Sequence, residues 1–339
     1  MNEIKDKINA FQPDGTLTER GYATRMNFIY NRENVKSFPF KLKEWDFYQF
    51  HKGRYALQLT IGHLSYIAQG AVTLIDLATG KKWSISTMKP LYIPTLNTNG
   101  EQPGFCEYKD RHFHMTYQVT NDKRILKFQG SNKTFKKVEM ELLVDHDLNN
   151  DKMVIATPFE KSTQFYLNYK ENYYGMTGFV RFTGVDAADS MEVDFSGATG
   201  VMDWGRGVWP YSHEWFWGNL TGHIDEVPFA FNIGWGFGDL SNATENFYFY
   251  NKKAYKLGTL HTEWDDNNLM KVQHFYDDEG KFDVTFAPFY DNYTENKFFI
   301  VDTECHQLFG HFSGRFQTED GMVEFRDILA FVEHAINNW

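Results

Sequence analysis

Short runs of β-branched and aromatic residues return along this chain from Trp45 almost to its end, each closed by a polar or glycine-bearing turn. Residues 45–51, 55–61, 65–77 and 83–87 are such runs; 112–120, 124–129 and 134–144 follow, and the pattern continues through 297–302 to 322–331. Runs of this length at intervals of about 8–12 residues read as strands joined by tight connections. Asp278-Glu-Gly280 and Glu319-Asp-Gly321 are hairpin signals, because glycine takes the positive φ that a tight turn needs. Roughly fifteen strands are expected and no convincing amphipathic helix separates them, which argues against a parallel α/β sheet. Only residues 333–338 read as a closing helical turn. The expected fold class is all-β, with two consecutive antiparallel barrels or strongly curved sheets. Residues 1–175 form the first lobe, opening on a polar lead-in with turn signals at Pro13-Asp-Gly15, Glu19-Arg-Gly21 and Pro39; residues 176–339 form the second. The stretch 90–104, with Pro90, Pro94 and Pro103, is expected to be a long loop.

Aromatic residues make up 18% of the chain, a content that suits pleated, half-buried surfaces and the walls of apolar cavities. The formal net charge is −11, and no block of Lys or Arg interrupts it, so nucleic acid and anionic membrane surfaces are poor partners. The N-terminus lacks a signal-peptide pattern and no segment approaches the ~20 apolar residues of a membrane span; a cytoplasmic location is expected. The two cysteines, Cys106 and Cys305, are then buried thiols. No cofactor is expected: Gly234-Trp-Gly-Phe-Gly238 lacks the spacing of a dinucleotide loop, and the His112 and His114 pair lacks a third metal ligand.

Residues 202–222 are the densest stretch. They hold Trp204, Trp209, Trp215 and Trp217, with Tyr211 and the ionisable side chains Asp203, Arg206, His213 and Glu214. Asp203 and Arg206 are expected either to pair with each other or to orient a polar headgroup through the guanidinium fork. His213 and Glu214 are adjacent, so on a strand only one can face a cavity, where it would act as a proton donor. Trp215 and Trp217 share one strand face and, with Trp204, Trp209, Tyr211 and Trp235, are candidates to wall an apolar cavity. Glu245 and Asn246 add a polar patch. The stretch as a whole reads as the aromatic seam of the second barrel.

Several of these motifs occur together in one family. Lys43-Glu-Trp-Asp-Phe-Tyr48, Pro158-Phe159, Gln164-Phe-Tyr-Leu-Asn-Tyr-Lys170, residues 202–210, Trp215-Phe-Trp-Gly218, Asn232-Ile-Gly-Trp-Gly-Phe-Gly-Asp239, Ala243-Thr-Glu-Asn246 and residues 310–339 resemble the bacterial and fungal family known as domain of unknown function 2804. Trp204-Gly205, Pro210 and Trp215-Phe-Trp217 are also similar in order to a stretch of tocopherol cyclases, although Tyr211-Ser-His-Glu214 lengthens the gap. That second resemblance, which extends to carotenoid hydratases, implies two lipocalin-like (calycin-type) barrels. Three functions follow as expectations: binding of an apolar or amphipathic small molecule, a cyclase, hydratase or isomerase working on an isoprenoid-like substrate by proton donation, or carbohydrate binding.

Overall fold

The computed structural model describes residues 1–38, 40–298 and 301–339, so the Pro39 turn signal and the middle of the 297–302 run lie outside it. The described residues form strands with only two short 3₁₀ turns, Arg32–Asn34 and Ala187–Asp189. None forms a helix long and apolar enough to cross a membrane. Two compact units divide the chain, Met1–Trp209 and Pro210–Trp339. This boundary falls later than residue 175 because Met176–Gly184 pairs with Phe135–Asp145, and Thr199–Val208 pairs with both Phe165–Tyr173 and Lys43–Lys52. The 202–222 stretch is therefore not one seam of the second barrel. Its first part is a strand of the first unit and its second part, Ser212–Ile224, a strand of the second.

The first unit contains an eight-stranded antiparallel sheet in the order Gly21–Ala23, Met153–Pro158, Phe165–Tyr173, Thr199–Val208, Lys43–Lys52, Tyr55–His63, Ile67–Asp76, Lys82–Pro90. A six-stranded antiparallel sheet runs Met191–Asp194, Met176–Gly184, Phe135–Asp145, Lys123–Gly130, Phe113–Val119, Gly104–Lys109. Both feed one core, with Phe50, Leu59 and Val72 from the first and Met115, Phe128 and Val138 from the second. Tyr48 and Tyr117 meet across it with ring centres 5.0 Å apart, and Gly70 lies so close to the ring of Phe113 that a Cβ there would sit 2.5 Å from it. The lead-in is less free than its polarity implies. Ala10, Phe11, Met26 and Phe28 are buried in this core, and Gly21–Ala23 completes the sheet edge. Its apolar residues are scattered without a strand period, which hid them in the sequence.

The second unit is one nine-stranded antiparallel sheet, ordered Lys253–Lys256, Phe247–Tyr250, Val227–Trp235, Ser212–Ile224, Gly321–Asn338, Val301–Thr318, Phe282–Phe298, Gln273–Asp277, Leu260–Thr262. It curls strongly, because strands that are not neighbours meet through their side chains. Phe231 lies 5.3 Å from Phe282 and 4.8 Å from Phe312, ring centre to ring centre, and the Tyr248 hydroxyl donates to the Gln317 carbonyl at 2.6 Å. Residues 333–338, expected as a helical turn, are instead the end of a long strand paired on both sides with residues 212–217 and 302–307. The six-residue window was too short for its period to outweigh the pairing available on either side.

Phe231 touches two distant strands at once, so truncating it opens a cavity that the curled sheet cannot collapse. We expect Phe231→Ala to lower the unfolding free energy by about 3–5 kcal/mol in urea titration. A change under ~1 kcal/mol would refute the account of the curl.

Candidate functional site

Strand Thr199–Val208 has neighbours on both sides, and Gly200 through Val208 are all buried. Strand alternation turns Met202, Trp204, Arg206 and Val208 toward the core and Asp203 the other way. Asp203 and Arg206 are thus on opposite faces, and the pair expected between them gives way to others. Arg206 Nη2 donates to Asp46 Oδ1 and to the Asn97 carbonyl, both at 2.7 Å, and its Nε lies 3.8 Å from Glu44. The guanidinium carbon sits 4.2 Å from the Trp204 ring centre, and Trp204 Nε1 donates to the same Asn97 oxygen at 3.0 Å. Glu44 also accepts the Tyr30 hydroxyl at 2.9 Å, while Asp46 accepts the Cys106 thiol at 3.2 Å. Burial works against the charge on Arg206, yet Asp46 and Glu44 lift its pKa above the usual value. Burial, then Asp46, pushes the Cys106 thiol well up.

The opposite face of the same sheet is polar and aromatic, buried along Thr199–Val208 and half-buried at Trp45, Phe47 and His51. Asp203 accepts from Asn168 Nδ2, and Asn168 Oδ1 accepts the Lys170 ammonium at 2.8 Å. Trp209 stands edge-on to Trp45 at 5.7 Å and to Tyr166 at 6.2 Å, with the Lys43 ammonium 5.0 Å from its ring. Gly205 permits this, since a Cβ there would lie 2.2 Å from the Trp45 ring. Burial pulls Lys43 down to about 8. Further along, Gln58 donates to Gln49 Oε1 at 2.8 Å, which leaves the Gln49 amide nitrogen to donate to His51 Nε2 at 3.0 Å. Burial holds His51 down to about 4, so it is the neutral acceptor that this bond requires.

In the second unit the alternation of Ser212–Ile224 sends Phe216 and Leu220 inward, with Phe216 stacked on Trp235 at 4.7 Å. His213, Trp215, Trp217 and Asn219 take the other face. There a cross-strand row runs Asn292, Gln307, Glu333, Trp217, Gly234. Trp215 Nε1 donates to Glu333 Oε1 at 2.8 Å, and Gln307 donates to Glu333 Oε2 at 3.1 Å. Trp217 Nε1 donates to Asn232 Oδ1 at 2.7 Å; Asn232 in turn donates to the Glu245 carbonyl at 2.8 Å and to its carboxylate at 3.2 Å. Asn246 Oδ1 accepts Gly234 N at 2.9 Å, while the Asn246 carbonyl accepts the Lys256 ammonium at 2.8 Å. Burial brings Lys256 down to about 7, where a lysine exchanges protons near neutral pH.

The structure thus gathers Trp215, Trp217, Glu245 and Asn246 on one face of the second unit, with His213 stacked against Trp215 at 5.7 Å. It separates the rest: Trp204 and Arg206 enter the first core, Trp235 packs on the second, and Glu214 is half exposed beside His334. Tyr211 is 54% exposed. A single tryptophan wall around residues 203–217 is corrected accordingly: Trp204 belongs to a strand of the first unit and Trp215 and Trp217 to a strand of the second, so these tryptophans do not share one strand face. Two open hollows, of about 330 and 390 Å³, lie elsewhere, and none of the twelve candidate residues lines either one.

Sequence reasoning missed Glu44, Asp46, Asn168, Lys170, Asn232, Asn292, Gln307, Lys256 and Glu333. The spacing within Asn232-Ile-Gly-Trp was visible, but its partners come from strand register. A second buried centre was also missed: Glu171 accepts Arg124 at 2.8 Å, His146 at 2.8 Å, and the hydroxyls of Tyr169 and Tyr173 at 2.8 and 3.0 Å. Burial alone would raise Glu171, but Arg124 and His146 hold it well below the carboxylate range.

His51 provides a test. Its folded pKa of about 4 lies below the ordinary 6.5, so the unfolded chain binds the proton first as pH falls. Its contribution is complete above pH 6.5 and is lost toward pH 4. His51→Gln is expected to flatten the stability–pH curve across that window by about 2 kcal/mol, read from urea unfolding near pH 7.5 and pH 4.5. An unchanged profile would contradict a half-buried, neutral His51.

CghA, solved alone and with Sch210972, has a similar fold, with a TM-score of 0.56 at 11% identity over 98% of this chain and 97% of that one. Kievitone hydratase from Nectria haematococca aligns with a TM-score of 0.44 at 11% identity over 98% of each chain. A protein titled as a putative AttH from Nitrosomonas europaea gives 0.42 at 10% identity, covering 90% and 95%. Among curated protein sequences none matches. The family described as Domain of unknown function (DUF2804) matches residues 1–339, and the chain belongs to that family.

Proposed function

We propose that this protein binds a small amphipathic molecule against the polar-aromatic face of its second unit. Trp215, half-buried, stacks on the apolar part, and the amide and carboxylate groups beside it hold the polar part. One observation carries this reading: the two indoles lie two residues apart among buried polar side chains, and both indole N–H groups are already engaged, by Glu333 and by Asn232. The half-buried Trp215 indole, held in this way, is fixed in orientation and offers a flat apolar ring at little further entropic cost, while the buried Trp217 packs edge-on to Phe331 at 4.8 Å. Core packing does not call for such a face, since burying Asn219, Asn232, Asn292 and Gln307 costs free energy that a plain apolar surface avoids. The fold likeness to CghA, whose structure was solved with Sch210972, supports a small molecule as the occupant.

A second reading adds turnover, as a cyclase, hydratase or isomerase acting by proton transfer on an isoprenoid-like substrate. Lys256, brought down to about 7 by burial and bonded to the Asn246 carbonyl, favours it as a group able to give or take a proton at neutral pH.

Native mass spectrometry of protein purified from its own host is the first test, with a co-purifying small molecule as the expected result. Trp215→Ala should then weaken that molecule's binding roughly fivefold, about 1 kcal/mol, with little change in Tm because Trp215 is only half-buried. Protein that carries nothing and binds no aromatic amphiphile at millimolar concentration would end the proposal.

A further inference from the structure

The row Asn292, Gln307, Glu333 has a direction. Glu333 receives Trp215 Nε1–H at 2.8 Å and the Gln307 amide at 3.1 Å. The Cys305 thiol, pushed well up by burial and then by the Glu333 carboxylate beside it, keeps its proton and bonds to the same group. A carboxylate gathering three donors acts as acceptor only. Gln307 must therefore turn its NH₂ toward Glu333 and its carbonyl toward Asn292, whose Nδ2 donates to Gln307 Oε1 at 3.4 Å. Rotating either amide by half a turn would set two acceptors against each other. Glu333 thus determines which end of Asn292 is left over, and that end is the carbonyl. Asn292 is 6% exposed, and its Oδ1 has no hydrogen-bond partner among the described residues.

A buried carbonyl oxygen without a donor costs about 1–3 kcal/mol, so such an atom is kept where something else supplies the donor. We propose that Asn292 Oδ1, at the far end of the row from Trp217, reads a hydrogen-bond donor, a hydroxyl or N–H group, on a molecule that lies along the row from Trp215, with Glu333 setting the polarity of the reading through Gln307. This rests on the binding proposal above and sharpens it: the occupant is an amphiphile whose polar part donates. Its ether or ester counterpart, having acceptors only, is rejected because two lone pairs would face each other.

The experiment uses the full chain and two probes of nearly equal shape, 2-naphthol and 2-methoxynaphthalene, with binding read by quenching of tryptophan fluorescence. The expected result is about a tenfold preference for the naphthol. Asn292→Leu should bring the two affinities within about twofold. Glu333→Gln leaves Asn292 in place but no longer dictates the direction of the amides, so the preference should shrink there as well. That variant carries the test if Asn292→Leu fails to fold. Equal affinities in the natural protein, or a preference untouched by both Asn292→Leu and Glu333→Gln, overturn the inference and leave the binding proposal standing. If neither probe binds, the binding proposal falls and this inference falls with it.

Discussion

Both faces of the strands that matter most are withdrawn from water. A strand points alternate residues to opposite sides, so an ordinary antiparallel sheet with one core hides every second side chain and leaves the rest wet. In Thr199–Val208 and along the middle of Ser212–Ile224 the second face is buried too, and there it carries aspartate, asparagine and indole groups. Each polar atom on such a face needs a partner, because an unpaired one costs more than a typical hydrogen bond contributes. The remaining structure answers much of that demand, with Asn292 Oδ1 left over. Lys170 finds Asn168, Asn168 finds Asp203, Trp217 finds Asn232 and Asn232 finds Glu245.

Inside the first core the same demand falls on full charges. Arg206 is fully buried and lies between Asp46, Glu44 and the Asn97 carbonyl, while Arg124 and Glu171 form a second centre with His146 and two tyrosines. Ion pairs of this kind add little net stability over a well-packed apolar core, but removing one partner strands the other charge at a cost of several kcal/mol. Their effect is to lock register. Arg206 ties strand Thr199–Val208 to Lys43–Lys52 and to the loop after Pro90, and any slip by one residue would turn its guanidinium out of reach of all three.

The polar-aromatic face of the second unit combines fixed indoles with a directed amide row ending on one free carbonyl. Lys256, which burial brings down to about 7, stands beside the Asn246 end of that face. Stacking surface, a donor-seeking oxygen and an amine able to exchange protons are what recognition of an amphiphile needs first and what proton-transfer chemistry could build upon.

The spacing of aromatic runs was enough to establish an all-β chain with curved antiparallel sheets, because period-2 patterning and glycine turns are local properties. The same locality made the 202–222 stretch legible as important, and it paired Trp215 with Trp217 correctly on one face. Strand register was not legible. Arg206 is three residues from Asp203 yet bonds Asp46, 160 positions away, and Glu333 reaches Trp215 across 118. Those pairings depend on which strands lie side by side, and no short-range pattern encodes that. For the same reason the tertiary structure alone decided that the dense stretch belongs to two units, that residues 333–338 extend a strand, and that Asn292, unremarkable in the sequence, presents the one free carbonyl of its row.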